Sequence, residues 1–213
     1  MIEDQLDHPT ELLVISGRHP GRRVMTQELD TQAAILLEVF HELDTPPDLR
    51  PELVDGEVVV RVTPPGSHEH VISSVIRRIH ADAAIDVHFS GNKGLITPSI
   101  GAFPPNHVIP DGVFVPAALD VFRGAAAWMP CSQVLLVLEV TDRRPELDRE
   151  QKRRSYARAE IPFYLLVDRD VHRTSLFSNP EDGDYTRIQV RPFGRLLDLP
   201  EPFSMALSTA RFG

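Results

Sequence analysis

Glu139 stands inside an otherwise apolar run, Val134-Leu135-Leu136-Val137-Leu138, and is followed by Val140. A lone ionised carboxylate in such a strand costs on the order of several kcal/mol unless it is paired or metal-bound. Asp111 follows Pro110 and opens a second apolar run, Gly112-Val113-Phe114-Val115. If the two strands are neighbours, both side chains converge at one end of a sheet, a hard-oxygen site suited to Mg²⁺ or Mn²⁺. Lys152 lies in the charged stretch straight after the Glu139 strand. A helix there brings its ammonium back over the strand end, where it can orient an attacking water and stabilise charge developing on a phosphorane. The cation lowers the pKa of that water and polarises the phosphoryl oxygen. Two carboxylates, a divalent metal and one amine are sufficient parts for phosphodiester hydrolysis.

Each residue also has a plainer reading. Glu139 can be a buried acid paired with a structural Arg or Lys, and Asp111 a turn residue before Gly112. Lys152 can be one solvated charge in the run Arg149-Glu150-Gln151-Lys152-Arg153-Arg154. Arg149, Arg153 and Arg154 suit backbone phosphates or simple solubility equally. His68, Glu69 and His70 suggest a metal motif, but two His at i and i+2 do not share a helix face, so zinc is not expected. His70, near a helix N-terminus, is the one retained as a phosphate donor or proton-transfer residue.

These residues need a frame. Residues 1 to 30 lack periodicity and read as an irregular N-terminal segment; residues 31–213 read as one domain. Thr31 to Leu43 is an amphipathic helix, with Thr31 as N-cap and Ala34, Ile35, Leu37, Val39 and Phe40 on one stripe. Asp55-Gly56 between two β-rich runs marks a hairpin over 52–62. Ser67 caps a helix from about His68 to Ala84 that packs through Val71, Val75, Ile76 and Ile79. Strands follow at 85–89 and 107–115, separated by a Gly/Asn/Pro-rich loop. The densest run, Gln133 to Thr141, is the strand expected to be covered on both faces. A polar helix over 145–160, a buried strand over 163–168 and a hairpin of 171–177 with 185–190 complete the order. This is an α/β architecture, a mixed sheet flanked by helices. The apolar C-terminal stretch from Leu196 suits a sheet edge or a partner.

Composition narrows the class. A chain of 213 residues with 42% hydrophobic and 25% charged residues has ordinary globular composition. Its formal charge of −9 counts against a simple nucleic-acid-coating protein and less against an enzyme whose acids are offset by bound cations. The single cysteine, Cys131, excludes an internal disulfide and fits a reducing, cytoplasmic setting. The acidic N-terminus does not read as a signal peptide, and no run is long enough to span a bilayer.

Several stretches together resemble a known family: Glu52 through Glu57, Ile109-Pro110-Asp111, Leu138-Glu139-Val140-Thr141, and Asp148 through Lys152 and Tyr156 to Asp168, in that order. The ordered set resembles the Uma-two family of restriction-endonuclease-like proteins, a branch of the PD-(D/E)XK nuclease superfamily, over about residues 50 to 200. The resemblance implies the αβββαβ core, with its core helix near 69–84 and an added N-terminal helix and hairpins. It implies Asp111 and Glu139 as the two acidic, metal-binding positions, and a place near the site for Glu57. The superfamily places a lysine two residues after the second acid; here that residue is Thr141, and Lys152 matches the lysine that takes over in the resembling family. The expected activity is Mg²⁺- or Mn²⁺-dependent hydrolysis of DNA, with a homodimer for cutting both strands. The alternatives are a nuclease-fold interaction or regulatory module without catalysis, and a hydrolase of small phosphoesters.

Overall fold

A computed structural model describes residues 20–46 and 49–212; the first 19 residues of the expected irregular segment lie outside the described residues. Two mixed sheets and a terminal hairpin organise the chain, where the sequence suggested one main sheet.

The six-stranded sheet carries the main core. Its strands are β3 (Val87–Ser90), β6 (Gly112–Pro116), β8 (Leu136–Val140), β9 (Phe163–Asp168), β10 (Arg173–Glu181) and β11 (Asp184–Pro192), in the order β11-β10-β9-β8-β6-β3. All five residues of β8 are buried, as its unbroken apolar run predicts for a strand covered on both faces. Alternation sorts the side chains. Leu136, Leu138, Val140, Leu165, Val167 and Phe114 pack to one side, with Val71, Val75 and Ile79 of α2 (Gly66–Asp82). Val137, Tyr164, Leu166, Val113 and Val115 pack to the other, with Tyr156 and Ile161. Asp111 shares the parity of Val113 and Val115, and Glu139 that of Val137, so both acids belong to this second face.

The five-stranded sheet runs β2 (Glu57–Arg61), β1 (Arg50–Val54), β5 (Asn106–Val108), β4 (Gly94–Thr97) and β7 (Trp128–Pro130). Its β1–β2 hairpin turns on Asp55 and Gly56, whose φ angles of 44° and 84° are those of a turn that matches strand twist. The single strand expected over 107–115 is two strands: β5 joins this sheet, β6 the other, and Ile109-Pro110-Asp111 passes between them. Pro110 has no N–H to donate to a ladder, which suits it to the break. Strand β4 lies within the stretch read as loop, and β7 lies in a stretch to which the sequence assigns no element.

The helices differ from expectation in instructive ways. Helix α1 (Pro20–His41) starts 11 residues before Thr31, because Arg22, Arg23, Met25, Gln27 and Glu28 favour helix without contributing an apolar stripe. Of its expected stripe, Phe40 is buried while Ile35 and Val39 are more than half exposed. Helix α2 begins at Gly66 without a side-chain cap; the Ser67 hydroxyl instead accepts a hydrogen bond from Arg169 at 2.6 Å. The polar helix after β8 is a π-helical segment, Leu147–Lys152, continuing into α3 (Arg153–Arg158). The hairpin β12 (Leu196–Leu199) and β13 (Met205–Ser208) buries Leu197, Leu199, Phe203, Met205 and Leu207 against the α2 side of the main core. The C-terminal apolar stretch is therefore core.

Candidate active site

At the end of β8 the antiparallel register pairs Gly112 with Leu138, which sets Asp111 beside Glu139. The Asp111 carboxylate accepts a hydrogen bond from the Val140 N–H at 2.8 Å, and the Glu139 carboxylate faces the Asp111 N–H at 3.4 Å. Each acid thus caps the other's strand.

Lys152 comes to the same place from below. The wide π-helical turn directs both Asp148 and Lys152 inward. The Lys152 ammonium lies 2.9 Å from Glu139 Oε1 and 2.9 Å from Glu52 Oε1, and all three side chains are fully buried. The Tyr156 hydroxyl donates to the same Glu139 oxygen at 2.5 Å, and the Ile109 N–H donates to Glu52 at 2.5 Å. The helix is anchored by Arg149, whose guanidinium grips both oxygens of Asp168 at 2.7 and 2.9 Å. Thr141, in the position where the superfamily carries its lysine, is buried and ties the end of β8 to that of β9: its hydroxyl accepts from the Arg169 N–H at 2.8 Å and donates to Asp168 at 3.4 Å.

Two groups sit on the other flank. His68 is fully buried on α2; its Nε2–H donates to the Val140 carbonyl at 2.9 Å and is shared with Asp111 at 3.1 Å. Because the carbonyl can only accept, Nε2 carries the proton. Arg61, at the end of β2, spans the acids: its guanidinium is 3.2 Å from Asp111 Oδ1, 3.5 Å from Glu139 Oε2 and 3.9 Å from Glu52 Oε2.

The electrostatics follow from burial opposed by these neighbours. Burial works to raise the Asp111 pKa, but His68 and Arg61 outweigh it and hold the carboxyl down at about 2. Burial raises that of Glu139, Lys152 opposes it, and Asp111 and Glu52 tip the result upward. Asp148 is held well above the usual carboxylate range by burial and by Glu139. Burial works against charge on Lys152 and Arg61, yet Glu139 and the other acids raise both, so both stay cationic. His68 is raised: Asp111 outweighs the burial that opposes its charge.

Above the cluster opens a cavity of about 680 Å³, within the usual range for small-ligand sites. Asp111, Arg61 and Asp148 reach its wall, with Arg50, Arg77, Arg143 and Arg144 around them. Glu69 and Asp142 share the wall, so it carries five arginines and four carboxylates, a balance less acidic than the whole chain's −9.

The structure therefore brings together Asp111, Glu139 and Lys152. It does not bring Glu57 or His70 to them. Glu57 begins β2 beside the turn, and its half-exposed carboxylate faces Arg144 at 3.7 Å. His70 is exposed and borders a separate recess with Arg169, His172 and Phe193. The histidine that points inward is His68, since 68 continues the buried stripe of 71, 75 and 79 and 70 does not. Glu52, Arg61, Tyr156 and Asp148 join the cluster without having been singled out by sequence.

A divalent cation fits the donor chemistry. Three carboxylates converge, and Glu52 Oε2 is buried without a hydrogen-bond donor. Yet among the described residues no three His, Cys, Asp or Glu side chains are grouped so as to hold a metal ion, and Arg61 lies between the acids.

No helix among the described residues is long and apolar enough to cross a membrane. Among curated proteins the chain has no match. Among solved structures it is similar to one described as "a putative nuclease belonging to DUF820" from Anabaena variabilis ATCC 29413, at 13% identity and a TM-score of 0.63, over 83% of this chain and 96% of that one. At that identity the likeness is one of fold, a mixed α/β nuclease fold. The Uma2 family, described as "Putative restriction endonuclease", matches residues 37–211, and this chain belongs to it.

Proposed function

We propose that the protein is a Mg²⁺- or Mn²⁺-dependent endonuclease that hydrolyses DNA phosphodiester bonds, with Asp111 and Glu139 as its metal-binding acids. The observation that carries this reading is the pairing of those two carboxylates across β6 and β8, with Asp111 on the wall of a cavity that also presents five arginines and Glu139 buried behind it. When bound, the cation would polarise a phosphoryl oxygen and supply a more acidic water.

The chain's own residues do the rest. Lys152 and Tyr156 hold Glu139 Oε1 from behind, which leaves Oε2 turned toward Asp111. Lys152 does not reach the cavity wall, so we assign it a positioning role in place of direct contact with the attacking water. Arg149 and Asp168 fix the turn that carries Lys152. Arg50, Arg77, Arg143 and Arg144 are placed to bind phosphates. Cutting both strands of a duplex needs two such sites, so the reading carries a cytoplasmic homodimer with it; light scattering in solution tests the oligomer.

Supercoiled plasmid incubated with Mn²⁺ tests the activity. Nicking by the wild type and its loss in Asp111→Asn and Glu139→Gln are expected. Equal cleavage by all three proteins would place the activity elsewhere.

One observation favours a second reading, a nuclease-fold interaction module without catalysis: Arg61 stands between the two acids. Isothermal calorimetry separates the readings, since a catalytically empty module binds no Mn²⁺ through Glu139.

A further inference from the structure

We infer that Arg61 is a resident counter-cation occupying the position of the metal, and that divalent cation binding displaces its guanidinium toward the cavity. This rests on the metal-dependent reading above and deepens it.

Three observations carry the inference. First, the Arg61 guanidinium is the group toward which Asp111 Oδ1, Glu139 Oε2 and Glu52 Oε2 all turn, at 3.2, 3.5 and 3.9 Å. Opposite oxygens of Glu139 and Glu52 are already taken by Lys152, so the oxygens facing Arg61 are the ones left for a ligand. Second, Arg61 seals the acids. Glu139 and Glu52 are fully buried and absent from the cavity wall, whereas Arg61 is on that wall and 23% exposed. A cation entering from the cavity meets Arg61 before it meets Glu139. Third, the present arrangement satisfies the acids incompletely. Glu52 Oε2 is buried and receives no hydrogen bond, and the Arg61 contacts to Glu139 and Glu52 are longer than a good charge-assisted bond.

With Arg61 withdrawn, Glu52 and Glu139 keep Lys152 and Asp111 keeps His68, and the oxygens that faced the guanidinium are left without a cation. A displaced guanidinium stays on the cavity wall with Arg50, Arg77, Arg143 and Arg144, where a phosphate is its natural partner. Arg61 thereby links the two loads: anion in the cavity draws Arg61 out, and its departure opens the acids to metal. Linkage requires the converse, that metal in the site raises affinity for the anion.

Mn²⁺ titration by calorimetry, without nucleic acid, tests this on the full chain. The comparison is of wild type with Arg61→Gln, Arg61→Lys and Glu139→Gln. Arg61→Gln is expected to bind one Mn²⁺ at least about tenfold more tightly than wild type, the loss of a competing charge-assisted contact. Binding is expected to disappear in Glu139→Gln. Arg61→Lys keeps a charge but cannot span two carboxylates, so it remains folded if Arg61→Gln does not, and it too binds more tightly than wild type. Equal or weaker binding by the folded Arg61 variants, with Glu139-dependent binding in wild type, overturns the displacement and leaves the metal reading standing. No Mn²⁺ binding by wild type or either Arg61 variant overturns both.

Discussion

Replacing Lys152 by Met removes one charge from the most enclosed part of the molecule and changes volume little. Its ammonium is 2.9 Å from Glu52 and 2.9 Å from Glu139, and none of the three side chains touches solvent. Without it, the nearest cation to those acids is Arg61, at 3.5 and 3.9 Å. Removing one partner of a buried pair costs about 3–5 kcal/mol, since the other charge is left uncompensated. For a chain of this size each kcal/mol is worth roughly 2–4 °C, so Lys152→Met is expected to melt roughly 6–20 °C below wild type. The pH dependence gives a sharper check. Lys152 has a raised pKa, so its stabilisation is fully present below the ordinary lysine range and is constant between about pH 5 and pH 8. In the variant, Glu139, already raised in the wild type, loses the neighbour that most lowers its pKa and is raised further, so the folded variant holds that proton to higher pH than the wild type does. Its stability then falls as pH rises, and the gap to wild type widens from about pH 5 to about pH 8. Circular dichroism melts at both values read this directly. An unchanged melting temperature, or a gap that grows on acidification, refutes the buried-pair reasoning. The double variant Glu139→Gln/Lys152→Met should recover part of the loss, because the two residues belong to one network.

Other outcomes follow from the same structure. Asp168 is held below the usual carboxylate range: Arg149 outweighs the burial that would raise it. Its contribution is therefore present above the ordinary aspartate pKa and lost as pH falls below it; Arg149→Ala should cost about 1.5–3 kcal/mol near neutrality and flatten the acid limb of the stability curve. Burial pushes the Cys131 thiol up to about 12, so a thiol reagent near neutral pH should label it slowly in the native protein and fully after denaturation. Saturating Mn²⁺ at a hundredfold excess over Kd should stabilise the wild type by about 2.7 kcal/mol in thermal melts; a chelator reverses the shift and Asp111→Asn abolishes it.

How far the sequence discloses this site depends on what fixes each residue. Glu139 is legible because six apolar residues, Val134 to Leu138 and Val140, surround an acid, and only a paired or ligated acid is tolerated there. Asp111 is legible chiefly through the ordered resemblance; the sequence allows its strand to neighbour that of Glu139, and the β6–β8 pairing supplies the neighbour. Glu52 is harder to see: its hairpin offers two acids, Glu52 and Glu57, and either could face inward in isolation. The choice is made by the Ile109 N–H, which is 57 positions away along the chain. Arg61 carries a weak local signal, sharing the parity of buried Val59, but a charge at a strand end reads as solvated. His68 was readable, since it continues the spacing of Val71, Val75 and Ile79. The polar helix is the reverse case. Its packed face is Asp148, Lys152, Ser155 and Tyr156, so apolar periodicity says little about which side faces in. Strands β4 and β7 escape notice because four- and three-residue strands in proline-rich surroundings carry no alternation to count.

The division of residues 106–116 between two sheets has a consequence for when the acid cluster becomes complete. Glu52 arrives on one sheet and Glu139 on the other, and Lys152 bridges them only after the chain has reached its sixth strand beyond the hairpin. A chain that holds only the six-stranded sheet lacks Glu52, the second partner of Lys152, and Arg61, the cation across from Asp111 and Glu139. Completion of the cluster is thus tied to completion of both sheets, and under the nuclease reading proposed above cutting would wait on the same event.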